Sequence, residues 1–249
     1  MSNIAVSISN LSFSYSGQST KTITNLNLDI LSGERFGLFG PNGAGKTTLM
    51  QCMTGLLPFQ EGSVKLNGHE VSGNKKKINQ LFGFVPQDFS FYQELSPVQN
   101  LAFFGAWSGL NKAAIKAKTT ELLEVLCLSD VKDKPVHKFS GGMKRRVNLA
   151  IGVINNPSIL FLDEPTVGVD IQTRHAIINY LKELNKNGTT LIYTSHQLNE
   201  AEELCDKIAL IEQGKIIAHN TISELFTQHS EDALESLYLK LTGKAYKDV

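Results

Sequence analysis

Hydrophobic and polar residues alternate in two stretches near the start of the chain, at 4–8 and at 26–30. A period of two residues is typical of strands with one buried face, so both stretches are predicted to be half-buried antiparallel strands. Shorter, mostly apolar runs predict further strands at 35–39, 82–85, 159–162 and 191–193. The unbroken run at 159–162 suits a strand buried on both faces of a parallel sheet.

The hydrophobic pattern changes between about residues 89 and 156, where apolar residues recur at helical spacing. This stretch is therefore predicted to be a helical subdomain inserted into the sheet domain. Helices are predicted within it at 101–109, around 115–126 and at 143–154. Beyond it, helices are predicted at 177–184, 198–204, 223–226 and 234–241, with a hairpin at 208–218. The predicted organisation is an α/β core at 1–88 and 157–220, the helical subdomain at 89–156 and a short helical tail at 221–249.

A glycine-rich segment follows the apolar run at 35–39. It consists of Gly40, Pro41, Asn42, Gly43, Ala44, Gly45, Lys46, Thr47 and Thr48. Glycines allow successive backbone N–H groups to point at one anion, and the start of the helix expected near Lys46 adds a positive dipole end. Lys46 can reach the outer phosphates of a triphosphate, Thr47 can ligate Mg²⁺ and Thr48 adds a hydroxyl. A glycine-rich turn before an ordinary helix is the alternative, but the strand–loop–helix context favours nucleoside triphosphate binding.

Two acidic residues, Asp163 and Glu164, follow the buried run at 159–162. A carboxylate at Asp163 can hold the Mg²⁺ that Thr47 also contacts, and Glu164 can act as general base on an attacking water. Two acids that merely cap the next helix are the alternative. His196 follows the next buried strand and is a candidate contact for the γ-phosphate. Gln87 follows the strand at 82–85, where a polar side chain points toward the ligand crevice of an α/β sheet.

Two further segments have both a ligand-binding and a plain structural interpretation. Tyr15 precedes the glycine-rich segment and can either stack on a nucleotide base or belong to the core. Ser140, Gly141 and Gly142 open the predicted helix at 143–154, where the serine is a good N-cap. The bare N–H groups of the glycines make a second anion-binding helix N-terminus. For the segment in isolation, a glycine-rich cap without a ligand is the default interpretation. One triphosphate does not need two such sites in one subunit, so this helix start is predicted to face the nucleotide of another subunit.

Composition and charge limit the kinds of molecule that the protein is expected to bind. The chain has 249 residues with no net formal charge, so no electrostatic argument points to nucleic acid. Its three cysteines lack metal-like spacing and are expected to be buried, reduced thiols. We expect no signal peptide, and no apolar run approaches the roughly 20 residues that span a bilayer. Any membrane role is therefore expected to depend on a partner.

The order of these motifs resembles that of the nucleotide-binding subunits of ATP-binding cassette (ABC) transporters, from about Ile4 to Ala218. The resemblance implies a RecA-like P-loop NTPase fold, with a mainly parallel sheet, an N-terminal antiparallel subdomain and an inserted helical subdomain. It also implies ATP and Mg²⁺ as cofactors. By position, the resemblance implies that Tyr15 stacks on the base and that Gln87 contacts the metal ion and relays to the membrane partner. It implies that Glu164 is the catalytic base and His196 the switch histidine. Asp170 would contact the opposite subunit.

In this family two cassettes close head to tail, so the resemblance implies a second ABC subunit, a membrane permease and a location on the cytoplasmic face of the cell membrane. Phe139 and Met143 replace the ends of the common Leu-Ser-Gly-Gly-Gln signature, and Met143 offers no amide to a nucleotide. These variants, with the tail at 234–243, resemble the branch that exports drugs or polysaccharides. The surface at 87–100 is the candidate docking site for the permease. The alternative is that its apolar residues pack inside the helical subdomain.

Three alternatives compete with an exporter subunit. A non-transport ABC ATPase acting on ribosomes or DNA usually has two cassettes or a long insertion, which this chain lacks. A nucleotide kinase would share only the glycine-rich loop and would not explain Ser140 or His196. An importer ATPase often has a long regulatory extension, whereas only about 30 residues follow the predicted hairpin.

Overall fold

A computed structural model describes residues 3–18, 20–243 and 245–246. The chain divides into two units, Met1–Ile78 with Thr190–Val249, and Asn79–Thr189. The strands are β1 (Ile4–Phe13), β2 (Ile23–Leu31), β3 (Arg35–Phe39), β4 (Glu61–Leu66), β5 (His69–Glu70), β6 (Phe82–Val85), β7 (Ile159–Asp163), β8 (Thr190–Ser195), β9 (Lys207–Glu212) and β10 (Lys215–Thr221). The α-helices are α1 (Lys46–Met53), α2 (Lys75–Leu81), α3 (Pro97–Trp107), α4 (Lys112–Val125), α5 (Gly141–Val153), α6 (Ile171–Lys186), α7 (Asn199–Leu204), α8 (Ile222–His229) and α9 (Leu234–Thr242).

The first unit contains an antiparallel sheet with the strand order β2-β1-β4-β5. The alternating residues that predict β1 and β2 pair across the sheet, with Val6 opposite Ile30 and Ile8 opposite Leu28. All four side chains are buried, whereas polar residues between them face outward. The prediction of two half-buried antiparallel strands is therefore confirmed, except that Ile4 at the start of β1 is 40% exposed.

The same unit contains the strands that carry the glycine-rich loop. β3 lies between β8 and β9 and is parallel to both, while β9 and β10 form the predicted antiparallel hairpin. After Arg35, β3 is apolar and buried, with Phe36 and Phe39 almost fully enclosed. Because β3 and β8 run in the same direction, the loop after β3 and His196 after β8 emerge at the same edge of these strands.

The second unit builds its helices onto a parallel pair of strands, β6 and β7. α5 packs directly on β6, because both glycines at the contact lack a side chain. A Cβ on Gly83 would lie 1.9 Å from the Gly152 carbonyl oxygen, and a Cβ on Gly152 would lie 2.4 Å from Cγ2 of Val85. The predicted helices at 101–109, 115–126 and 143–154 correspond to α3, α4 and α5. The domain boundaries proposed from the sequence stay a prediction.

Two expectations are corrected by the structure. Cys52 and Cys205 are buried, and burial raises the pKa of the Cys52 thiol to about 12, but Cys127 is exposed. Cys127 lies just beyond the end of α4 with a φ of 52°, in a turn that points its side chain outward. α3 also begins earlier than predicted, at Pro97, because Ser96 and Gln99 form a capping box at its start.

The close contact between α5 and β6 predicts that even a methyl group at Gly83 destabilises the protein. We expect Gly83→Ala to lower the free energy of unfolding by about 1–3 kcal/mol, the usual cost of overpacking a core. The exposed Gly73 is a matched control, since its Cβ would meet only the Glu70 carbonyl at 3.0 Å in a surface turn. Urea denaturation of both variants measures the difference, and equal losses would contradict close packing at Gly83.

Candidate active site

The glycine-rich loop adopts the geometry that the sequence predicts. α1 begins at Lys46, and its N-cap, Gly45, has a φ of 105° that only glycine adopts readily. Gly40 leaves β3 beside the backbone of β9, where a Cβ would lie 2.2 Å from the Ile211 carbonyl oxygen. The loop therefore requires glycine at both ends, and Asn42 and Gly43 between them are exposed.

The ammonium group of Lys46 is held inside this loop. The side chain is buried, and its Nζ donates to the carbonyl oxygens of Gly40 at 2.7 Å and Pro41 at 3.2 Å. Thr47 is exposed in the first turn of α1, whereas Thr48 is buried. The ammonium group, the positive end of the helix dipole and an exposed hydroxyl therefore lie together at the N-terminus of α1. Such an arrangement favours the binding of an anion.

Tyr15 lies beside the same helix start. Its hydroxyl is 3.0 Å from the Thr48 hydroxyl, and its ring packs edge-on against Phe13 with centroids 4.9 Å apart. The side chain is nevertheless 40% exposed. One edge of the ring is therefore fixed by the protein, and the rest is accessible to a planar ligand.

In the second unit, Gln87 and Glu164 are in direct contact. The Gln87 amide Nε2 donates to Glu164 Oε2 at 3.1 Å. Asp163 ends β7 and is 1% exposed, and Glu164 beside it is also buried. Glu164 has a φ of 49°, a left-handed conformation that costs a non-glycine residue of the order of 1 kcal/mol and is typical of functional sites. Such burial and strain at a strand end favour a chemical role over simple helix capping.

The second predicted helix start is also formed. Ser140 is the N-cap of α5, and its hydroxyl accepts from the Met143 N–H at 3.3 Å, which confirms the capping prediction. A Cβ on Gly142 would lie 3.1 Å from Thr173 Oγ1 and 3.4 Å from Asp170 Oδ2, so the starts of α5 and α6 are neighbours. Asp170 caps α6, and the Thr173 N–H and hydroxyl that donate to it lower its pKa.

His196 follows β8 in the first unit and is half-buried. Its carbonyl oxygen accepts from the Tyr246 hydroxyl at 2.7 Å. Within β8, the Tyr193 hydroxyl donates to Glu200 Oε2 at 2.7 Å and so ties α7 to the strand. The backbone around His196 is therefore held from both sides.

Arg145 and Asn148 were missed by reasoning from the sequence. Both lie on α5 and hold the segment that carries Gln87. Arg145 Nη1 donates to the Gln87 carbonyl oxygen at 2.7 Å, and Asn148 Nδ2 donates to that of Pro86 at 3.0 Å. Arg145 lies between two other basic residues, Lys144 and Arg146, so residue type alone did not single it out.

The predicted Mg²⁺ ligands form a chemically consistent set. Thr47, Gln87 and Asp163 supply only oxygen atoms, as a hard cation with retained waters requires. Among the described residues, no group of three His, Cys, Asp or Glu side chains forms a metal site by itself. Mg²⁺ that is bound together with nucleotides usually completes its coordination with water and phosphate oxygens.

The sequence model of a family described as "ABC transporter" matches residues 23–167. The chain belongs to the ABC transporter family. The linearmycin resistance ATP-binding protein LnrL of Bacillus subtilis is 38% identical over 91% of this chain and 73% of its own length. The Nod factor export ATP-binding protein I of Sinorhizobium fredii is 38% identical over 87% of this chain and 62% of its own length. The daunorubicin resistance ATP-binding protein DrrA3 of Streptomyces coeruleorubidus is 36% identical, over 86% of this chain and 68% of its own.

Solved structures support the same assignment. An ATP-binding subunit of an ABC transporter superposes with a TM-score of 0.88, at 26% identity, over 96% of this chain and 99% of that one. A dimeric ATP-binding cassette, MJ0796, in a post-hydrolysis state with ADP and Pi, gives a TM-score of 0.80 at 25% identity, over 87% and 98% of the two chains. The predicted P-loop NTPase fold is confirmed, and this ABC chain is an ATPase domain that binds and hydrolyses ATP. None of its described helices is both long and apolar enough to cross a membrane.

The exposed ring of Tyr15 predicts a base-specific contribution to ATP binding. We expect Tyr15→Ala to weaken ATP binding about tenfold, since stacking of a base on an aromatic side chain is worth about 1–3 kcal/mol. Tyr15→Phe keeps the ring and should bind ATP nearly as well as the wild type. Calorimetric titration with ATP, and with inorganic triphosphate as the ligand without a base, separates the two roles. If Tyr15→Ala weakens triphosphate binding equally, the ring does not contact the base.

Proposed function

We propose that this ABC ATPase powers a separate membrane permease and that the transporter is an exporter. The main support for the hydrolytic site is the buried Glu164, which accepts a hydrogen bond from the Gln87 amide at 3.1 Å and lies next to the buried Asp163. The proposal of export is supported by the names of the relatives, two of which are resistance proteins and one an export protein. Met143, in place of the common signature glutamine, is a further argument for that branch.

The proposed chemistry divides the work among the site residues. Lys46 and the N–H groups of the loop from Gly40 to Thr48 bind the β- and γ-phosphates. Thr47, Gln87 and Asp163 would hold Mg²⁺, directly or through water, and the bound cation would supply positive charge next to the phosphate oxygens. Glu164 accepts a proton from the water that attacks the γ-phosphorus, while ADP leaves. His196 contacts the γ-phosphate, and the Gln87 amide orients the Glu164 carboxylate.

We further propose that two cassettes share each ATP. Ser140 and Gly141 are exposed at the start of α5, so their N–H groups can meet a phosphate that another subunit presents. Asp170, beside Gly142, would contact the opposite subunit. ATP then favours the closed pair because only that state adds a second helix start to its phosphates.

A surface of the second unit fits the permease. The aromatic patch consists of Tyr92, Phe103, Phe104 and Trp107, with Trp107 79% and Tyr92 51% exposed. The Tyr92 and Phe103 rings pack edge-on with centroids 4.9 Å apart. The patch adjoins the surface at 87–100 proposed for docking. Exposed aromatic clusters are enriched at protein interfaces, and a permease there would hold the subunit at the cytoplasmic face of the membrane.

Replacement of the proposed base tests the hydrolytic site. We expect Glu164→Gln to bind ATP but to lose about 10²–10⁴ in turnover, the usual contribution of a general base. Because ATP persists, the closed pair should accumulate and elute as a dimer from a sizing column with ATP. Normal turnover in this variant would remove Glu164 from the mechanism.

Lys46→Ala is the matched control for that experiment. It removes the ammonium group of the loop, so we expect loss of ATP binding and therefore no ATP-dependent dimer. Unchanged ATP affinity would contradict the assignment of the loop to the phosphates.

Changes in the aromatic patch should prevent the subunit from binding its permease. We expect the double variant Phe103→Ser and Trp107→Ser to keep the melting temperature of the isolated chain but to lose the integral membrane protein that copurifies with it. Val125→Ser is the control, since Val125 is an apolar residue outside the patch that is 50% exposed. Mass spectrometry of the complexes extracted from membranes measures the difference. Retention of the permease by the double variant would exclude the patch, and a soluble ribosomal or DNA-bound partner would favour a non-transport ATPase.

A further inference from the structure

Arg145 is a buried cation at the centre of the second unit. The side chain extends from α5 and is only 6% exposed. Its Nη1 donates to the Gln87 carbonyl oxygen at 2.7 Å, and its Nη2 lies 3.4 Å from the Val167 carbonyl oxygen. One guanidinium group therefore contacts the Gln87 segment and the segment that leads to Asp170.

The surroundings of Arg145 hold the guanidinium in one orientation. Its central carbon lies 4.9 Å from the centroid of the Phe89 ring, a distance typical of cation–π contacts. Burial lowers the pKa of Arg145, while the charges of Asp88 and Glu164 oppose that effect. Nε is buried and makes no hydrogen bond within the described structure. A cation that is this costly to bury needs a reason beyond filling space.

A second residue of α5 already fixes the same segment. Asn148 donates to the Pro86 carbonyl oxygen at 3.0 Å and accepts from the Ser90 N–H at 3.3 Å. The segment is thus held on both sides of Gln87 without Arg145. What Arg145 adds is a contact to Gln87 itself, the residue whose amide binds Glu164.

We propose that Arg145 is a positioning residue that couples three parts of the hydrolytic machinery. It links the Gln87 segment, the helix that begins at Ser140 and the backbone before Asp170. Displacement of Gln87, for example by a docked partner, is thereby transmitted to the helix start and to Asp170. This inference rests on the proposed function, in which Glu164, Ser140 and Asp170 act on ATP.

The guanidinium shape explains why arginine occupies this position. A planar fork of donors can reach two carbonyl oxygens and lie over an aromatic ring at the same time. A lysine has a single ammonium group and cannot make all three contacts. Arg145→Lys therefore keeps the charge but should not rescue the coupling, whereas a purely electrostatic role would be rescued.

Steady-state kinetics of the purified protein test the role. We expect Arg145→Gln and Arg145→Lys to lower kcat by at least about tenfold, toward the roughly hundredfold cost of a misplaced catalytic group, while the KM for ATP changes less than about threefold. Lys144→Gln is the matched control, since it removes a neighbouring charge from the same helix and should retain kcat. A kcat near the wild-type value in both Arg145 variants would overturn the proposal.

A double-mutant cycle separates positioning from loss of structure. Because Arg145 acts in part by positioning the Gln87 side chain, the variant with both Arg145→Gln and Gln87→Ala should lose less kcat than the product of the two single losses. Multiplicative losses, or a kcat that falls only in step with the folded fraction in thermal melts, would contradict the proposal. Glu164→Gln, assayed in parallel, distinguishes a failure of the proposed hydrolytic site from a failure of the positioning role of Arg145. Turnover by that variant would refute the proposed site, whereas its inactivity together with a normal Arg145→Gln would refute only the positioning role.

Discussion

The proposed mechanism depends on one electrostatic requirement, the neutralisation of a triphosphate at the N-terminus of α1. Lys46 is held by two loop carbonyl oxygens, so its ammonium group is already in place before an anion arrives. The backbone can provide N–H groups beside it only because Gly45 adopts a positive φ and Gly40 passes the Ile211 carbonyl without a side chain. The parallel pairing of β3 with β8 and β9 keeps this loop on a rigid base. Preorganisation of this kind reduces the cost of ordering the site when ATP binds.

The second unit meets the opposite requirement, which is to hold negative charge in the interior. Asp163 and Glu164 are both buried, and Glu164 is also strained in its backbone. Buried carboxylates are costly unless hydrogen bonds and opposite charges compensate for lost water. The Gln87 amide supplies a hydrogen bond to Glu164, and Arg145 supplies a nearby positive charge. In the proposed mechanism, the groups that stabilise Glu164 also connect it to the segment expected to contact a permease.

Local patterns predicted most of the elements because their causes are local. Period-two alternation identified β1 and β2, and the apolar run before Asp163 identified β7. Ser140 was recognisable as a helix N-cap from residue type alone. The early start of α3 was also readable, since Ser96 and Gln99 have the spacing of a capping box.

The features that escaped prediction depend on distant neighbours. Arg145 lies in a run of three basic residues, and nothing local distinguishes it from Lys144, yet it is buried against Gln87 and Phe89. The hydroxyl of Tyr246 reaches the His196 carbonyl across 50 positions of sequence. The exposure of Cys127 follows from a left-handed turn that residue type does not reveal.

The central claim is that the phosphates of ATP are bound by two helix starts, one from each of two facing cassettes. The most direct measurement is the ATPase rate per molecule as a function of protein concentration. The account predicts that this specific rate rises with concentration and reaches a plateau when all cassettes are paired. A specific rate that stays constant down to concentrations at which the protein is a monomer by sedimentation would contradict it.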